Sequence, residues 1–288
     1  DSIDDFITTS EEPYPSLHPG YLVSKLVSRH QVKVILNGLG PDEILGGYHY
    51  YKKIDLWRYA KNMQWALQLM PARLAPELNI LKHIAKARTV DEYYSLITSI
   101  YYDDEKSRLF SDKNLDYRSQ YVLRNMYLKN KSFQDPLRAM NYLDLMRYIG
   151  SHHLYRDDQN NMFFSLEGRY PFLDHNLIEF AFRVPSNLKV KNNTTKYLLR
   201  KLSEKYISPK SVRMKKKGFG LPVGRWMNHE LRDYTEYSLN SLKKRDIFDP
   251  RAIERMRKYT NDKYYQKLWH LVMVEQWLQK FMDGRVAP

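Results

Sequence analysis

The sequence contains no cysteine. That excludes disulfide frameworks, zinc fingers and ribbons, iron–sulfur centres and thiol nucleophiles, because each needs the sulfur itself. Long apolar runs are missing as well. No stretch approaches the roughly 20 apolar residues that cross a bilayer, and no basic-then-apolar leader opens the chain, so the expected location is cytoplasmic, with no membrane partner. Acidic residues are in deficit: 33 Asp and Glu stand against 47 Lys and Arg, a formal charge of +14. The first residue is Asp1 rather than methionine, so the 288 residues are expected to be one part of a longer frame.

What is present is a globular balance, 43% hydrophobic and 28% charged, long enough to bury a substantial core. The positive charge together with 24 Tyr, 5 Trp and 11 Phe invites a nucleic-acid reading. The distribution disfavours it. The basic residues are spread along the chain, and the densest runs, Lys215-Lys216-Lys217 and Lys243-Lys244-Arg245, are three long. Most tyrosines sit at helical spacing beside Leu and Met, as half-buried packing residues with a wet hydroxyl. A basic cleft for a small polyphosphate fits the same composition with fewer charges.

Along the chain, residues 1–19 are acidic and Pro-rich and read as irregular connection. Tyr21, Leu22, Val23, Leu26 and Val27 predict a short helix. Val32-Lys33-Val34-Ile35-Leu36, running into Asn37-Gly38-Leu39-Gly40-Pro41, has the pattern of a buried parallel strand and is the single convincing strand. From Tyr48 to Asn141 helical periodicity broken at Pro71, Pro76 and Pro136 predicts a helical layer without evident chemistry. A further helix through Met140, Leu143, Met146 and Ile149 leads past His152-His153 to the polar segment 156–161. Another runs from Pro171 to Pro185. Thr194 or Thr195 is positioned to cap a helix from Lys196 to Tyr206. Residues 215–222 read as a loop, and two helices end the chain. No linker divides it, so residues 1–288 are expected to form one domain.

The turn after the strand is the first candidate site. Gly38 and Gly40 let backbone approach a ligand closely, and Pro41 suits the first turn of a helix. Asp42 and Glu43 then fall near the positive end of the helix dipole. They serve there either as capping groups or as ligands holding Mg²⁺ against a phosphate chain. His152 and His153 diverge by about 100° on a helix and have no evident third ligand, which argues against a metal.

Four segments, taken together, resemble the asparagine synthetase family. Val34 to Tyr48, VILNGLGPDEILGGY, resembles its loop of Ser-Gly-acidic-Gly-x-Asp-Glu-x-x-x-Gly-Gly-Tyr. Asp158 to Asp174, DQNNMFFSLEGRYPFLD, is similar to its Asp-Arg-x-Ser-Met and Ser-x-Glu-x-Arg-x-Pro-Phe-Leu-Asp stretch. Lys196 to Lys201 is similar to its catalytic-lysine helix, and Lys216 to Pro222 to its basic loop. The resemblance implies the synthetase domain of such a protein: an α/β fold with an adenine-nucleotide alpha-hydrolase-like parallel sheet flanked by helices, mostly helical here because upstream strands are absent.

It also implies ATP and Mg²⁺ as cofactors, with a carboxylate adenylated, pyrophosphate released, and ammonia from glutamine or another amine displacing AMP. Asn37, Gly38, Leu39, Gly40, Asp42, Arg200 and Lys217 would bind ATP and pyrophosphate, Asp42 through Mg²⁺. Lys196 would be the catalytic lysine, and Glu167 and Arg169 would shape the adenylate pocket or form a purely structural ion pair. Helical spacing puts Lys196, Arg200 and Ser203 on one face and Leu198, Leu199, Leu202 and Tyr206 on another.

Leu39 stands where the family carries an acid or a tyrosine, Asn37 replaces the commoner Ser, and Gln159 the commoner Arg. These departures point to a different carboxylate, such as a sugar acid or a peptide or lactam precursor, or to a non-catalytic relative serving as a binding scaffold. The family's nucleotide loop, Ser-Gly-Gly-x-Asp-Ser, and its cysteine glutaminase domain have no counterpart in these residues. Both are expected upstream, in cis or in trans, and this stretch alone is expected to be inactive.

Overall fold

The computed structural model describes residues 2–14, 19–69, 82, 84–114, 119–129, 133–214, 221–258 and 262–284. The first helix, α1 (Ser2–Ser10), replaces the irregular connection expected there. Its acidic residues Asp4 and Asp5 lie in the first turn, where the dipole favours them, while Phe6 and Ile7 are buried with Tyr14 and Tyr21. Helix α2 (Pro19–Ser28) forms as expected, but Tyr21 and Ser24 face inward and Leu22, Val23 and Leu26 face out.

Strand β1 (Val34–Leu36) pairs in parallel with β2 (Glu167–Arg169), in the register Val34↔Glu167, Ile35↔Gly168, Leu36↔Arg169. Two expectations are corrected. Three residues Glu-Gly-Arg carry no strand pattern, so β2 exists through its tertiary pairing rather than its propensity. And β1 is exposed, Leu36 to 76%. An apolar parallel strand is buried only where layers cover both faces, and the described residues supply β1 with one neighbouring strand. The result is a mostly helical α/β protein with a small parallel sheet.

Helix α3 (Pro41–Ile44) follows β1 directly, with Pro41 in its first turn. Helices α4 (Ile54–Asn62), α5 (Val90–Thr98) and α6 (Pro136–Leu143) make the expected helical layer around Tyr51, Trp57, Tyr93, Tyr94, Leu137, Met140 and Leu143. The breaks expected at Pro71 and Pro76 lie outside the described residues. Asp135 caps α6 by accepting from the Leu137 amide at 2.9 Å. The rod then continues through wide π-type turns (Asp144–His153) into α7 (Leu154–Phe163). Arg156, Asp157, Asn160 and Asn161 are buried there. The Arg156 guanidinium lies 4.0 Å from the Tyr14 ring centroid, donates to the Ser10 carbonyl at 3.0 Å and pairs with Glu12.

Helix α8 (His175–Arg183) is capped by Asp174, which accepts from the Asn176 amide at 2.9 Å. Helix α9 (Tyr197–Ser203) is shorter than expected, and neither threonine caps it: Lys196 is its N-cap residue, in the left-handed region at φ 50. Its Leu202 and, just beyond it, Tyr206 are exposed, against the expectation of a core-facing side. Helices α10 (Arg232–Leu242), α11 (Pro250–Arg257) and α12 (Asp262–Trp277) pack with α1 around Leu239, Ile253, Trp269 and Val272. A small cluster of Ile44, Leu45 and Ala181, joined by Leu177, Ile178 and Leu199, ties α3 to α8 and α9. That cluster brings two distant parts of the chain to one place. Among the described residues no helix is long and apolar enough to cross a membrane.

Candidate functional site

The site begins where β1 ends. The Asn37 amide donates to the Arg169 carbonyl at 2.8 Å, continuing the strand pairing by one residue. Its side chain then holds the turn: Oδ1 accepts from the Leu39 amide at 3.0 Å and Nδ2 donates to Asp157 Oδ2 at 2.6 Å. Burial pushes the Asp157 carboxyl up to about 6, against the opposing bond from Tyr170. Asn37 is thus engaged with protein at both ends of its amide. Gly40 has φ +113, a conformation L side chains rarely adopt, and a Cβ there would meet Leu173 Cδ2 at 2.6 Å. At Gly38 an added Cβ would meet no described atom within 4 Å, so the turn is open to solvent at that point.

Asp42 and Lys196, 154 residues apart in sequence, meet at 3.0 Å between Oδ1 and Nζ, both half-buried at 25% and 22% exposure. The Lys196 amide donates to the Gly46 carbonyl at 3.3 Å, so the backbone as well as the side chain is fastened to the α3 turn. A lysine at positive φ costs on the order of 1 kcal/mol and persists only where its surroundings fix it. Two of the residues the sequence picked out are therefore brought face to face.

The others are not gathered equally. Arg200 turns away from the pair: Nε donates to the Thr195 carbonyl at 3.0 Å and a terminal nitrogen to the Val212 carbonyl. Glu167 and Arg169 pair with each other at 2.9 Å on the exposed face of β2, 54% and 61% exposed. An exposed pair of this kind contributes little, so Glu167→Gln is expected to leave the urea midpoint essentially unchanged. A larger loss of catalysis than of stability would mark the pair as part of the pocket. Lys217 lies outside the described residues.

Sequence reasoning alone misses what stands behind the turn. Glu43 is 1% exposed and accepts from the Tyr48 hydroxyl; burial pushes its carboxyl up to about 7, the tyrosine bond opposing. Asp144 is fully buried and is met by the hydroxyls of Tyr50 and Tyr94, at 2.9 Å and 2.6 Å, and of Tyr51. Burial raises its carboxyl to about 6, against those three bonds. The tyrosines of the helical layer are not all half-buried packing residues: Tyr51 and Tyr94 are buried, and their hydroxyls bind a carboxylate. The local signal is Tyr48, Tyr50 and Tyr51 beside an acidic turn, invisible without the helix that brings Asp144.

Lys189 completes the cluster, buried to 1% exposure, with Nζ donating to Asn141 Oδ1 at 2.8 Å. Burial lowers its amine to about 8, with Arg138 adding to the effect and Asp135 opposing it. The folded amine is thus neutral over a pH range in which the unfolded one is still charged. Folding then releases a proton, and stability should rise with pH from about 8 to about 10. Relative to Lys189→Met, wild-type protein is expected to gain about 2 kcal/mol over that range, read from urea midpoints at each pH.

In this mostly helical α/β protein, a glycine turn at the end of a parallel strand holds an acid against a lysine. Residues 1–279 match the model of the asparagine synthase family, and the chain belongs to that family. It is 28% identical over 284 residues to asparagine synthetase [glutamine-hydrolyzing] 1 of Bacillus subtilis, covering 95% of this chain and 44% of the relative. It is 26% identical over 293 residues to a putative asparagine synthetase of Mycobacterium tuberculosis, covering 95% and 43%. A third relative, amidase chyE of Penicillium rubens, is 25% identical over 252 residues, covering 77% and 37%. The chain spans less than half the length of these curated relatives.

Proposed function

We propose that this chain is the adenylating part of an ATP-dependent, amide-forming ligase of the asparagine synthetase kind. The observation that carries the reading is the Asp42–Lys196 pair at 3.0 Å beside an open glycine turn. In the reaction a substrate carboxylate oxygen forms a bond to the α-phosphorus of ATP and the bond to the pyrophosphate oxygen breaks. An amine then attacks the acyl carbon, AMP leaves with the bonding pair, and the amine sheds a proton.

Among the described residues no group of three or more acids or histidines is gathered for a metal, so the implied ion fits only as one held chiefly by phosphate and water with Asp42 as its protein ligand. Mg²⁺ commonly takes only one or two protein carboxylates and completes its shell with phosphate and water. Asp42 is half-buried and able to serve, whereas Glu43 is turned inward to Tyr48. Mg²⁺, when bound, would neutralise phosphate oxygens and so ease departure of pyrophosphate. Lys196 is the compact cation for the same oxygens and for an acyl oxyanion, and it keeps Asp42 aimed until the ligand arrives. Gly38 and Gly40 allow close backbone approach, with Leu39 between them presenting an apolar side chain. Leucine can neither bond a substrate ammonium nor take the amine proton, so sugar-acid, peptide and lactam-precursor carboxylates belong beside aspartate as candidate substrates.

The exposed β1 supports a further layer of chain against this face, which we assign to a segment bearing the nucleotide loop, with a glutaminase portion supplying ammonia. The test is release of pyrophosphate from ATP by this chain joined to whatever segment naturally precedes it, with a panel of carboxylates and ammonia or glutamine. Carboxylate-dependent release with one AMP per pyrophosphate is expected. Release of orthophosphate instead, or none with any carboxylate, would contradict the assignment.

A further inference from the structure

The buried cluster behind the turn touches both arms of the ion pair. Helix α3 has four residues, too few to hold itself in place. A helix this short leaves its last carbonyls without intrahelical partners. One of them, the Glu43 carbonyl, lies 3.4 Å from the Tyr51 hydroxyl, whose single proton it shares with the nearer acceptor, Asp144 Oδ2. Tyr51 is fully enclosed, and the Asn141 side chain, which holds Lys189, also acts on its hydroxyl. On the other side, the backbone and side chains of Lys189 and Val190 lie against Gly46. A Cβ on that glycine would stand 3.0 Å from Val190 Cγ2 and 3.4 Å from Lys189 Cβ. Gly46 in turn presents the carbonyl that receives the Lys196 amide. Asp42 and Lys196 therefore hang from one polar cluster, Asp42 through the backbone next to it and Lys196 through Gly46.

We propose that Tyr51 is a positioning residue, tying the buried Asp144 carboxylate to the backbone of the Asp42 turn and so fixing Asp42 opposite Lys196. Its catalytic consequence rests on the adenylating function proposed above; its structural consequence does not. Asp144 supplies an internal control. Tyr94 also donates to this carboxylate, at 2.6 Å, but among the described residues it makes no bond to α3. Tyr51→Phe and Tyr94→Phe each remove one hydroxyl from the same acid, so a role confined to satisfying Asp144 predicts equal effects.

The experiment compares these two variants with wild-type protein by amide hydrogen exchange over residues 41–47 and by the kinetics of pyrophosphate release. Tyr51→Phe is expected to speed exchange in the turn about tenfold and lower kcat about tenfold with KM for ATP within about twofold. Tyr94→Phe is expected to lower the unfolding midpoint similarly with neither of those changes. Equal effects of the two variants, or unchanged exchange in Tyr51→Phe, would overturn the proposal. Should Tyr51→Phe fail to fold, wild-type exchange decides. Amides 42–47 opening together with those of 140–148 support the bridge, and free exchange of the turn beside a protected helix overturns it. If the wild-type chain, joined to the segment that precedes it as in the release assay above, yields no pyrophosphate while the exchange results come out as expected, the ligase assignment fails and the bridge stands.

Discussion

Replacing Lys196 with alanine should reduce pyrophosphate release by about 10³-fold, the order expected when a single group stabilising transition-state charge is removed from a prepared site. The folded state should barely notice. Lys196 occupies a left-handed N-cap position, and its ion pair with Asp42 is part-exposed, so the loss of the side chain costs little. Lys196→Gly sharpens the point. Glycine accepts φ 50 without the strain a lysine bears there, so this variant should melt at or above the wild-type midpoint while remaining as inactive as the alanine variant. Thermal melts and release assays on the pair of variants check both halves. A glycine variant that keeps activity would remove the ammonium from the mechanism.

The second large effect is expected at Gly47. A Cβ there would lie 1.8 Å from Asp42 Oδ1, 2.6 Å from its Cγ and 2.7 Å from its Cα. Rotating the carboxylate relieves the first two contacts but not the third, because the Cα belongs to the backbone of α3. The bond from the Gly47 amide to the Asp42 carbonyl, 2.7 Å, must then break or stretch. Gly47→Ala is expected to cost about 2 kcal/mol in unfolding free energy, read from urea titrations, as overpacking of a fixed contact does. It should also abolish pyrophosphate release, because the turn can no longer hold Asp42 against Lys196. A variant with normal stability and normal release would mean that the turn is not built this way.

Much of this site could be read from the sequence, and what could not be read has a physical cause. The strand, the glycine turn and Asp42 are local in sequence, and Lys196 came from the family resemblance. The meeting of those two residues depends on Ile44, Ala181 and Leu199 sharing one small cluster, which no periodicity announces. The face expected to pair Lys196 with Arg200 failed because Lys196 precedes the helix rather than opening it. Strand β2 is not legible because its residues have no strand preference, and β1 is less buried than its pattern suggests because an apolar run reports what a strand needs rather than what surrounds it. Helix α1 was hidden by acids and prolines read as loop, although Asp4 and Asp5 are also a helix-start signal. The tyrosine–carboxylate cluster was the largest omission. Tyr50, Tyr51 and Tyr94 reach Asp144 over separations of 94, 93 and 50 residues, and helical spacing alone made them packing residues.

The most direct measurement is equilibrium binding of pyrophosphate in the presence of Mg²⁺, by calorimetry, to wild-type protein, Asp42→Asn, Lys196→Ala and the double variant. If the acid and the ammonium grip the ligand from two sides, each single change should weaken binding by at least about tenfold, and the double variant should fall short of the product of the two losses. Undiminished affinity in both single variants would contradict the account.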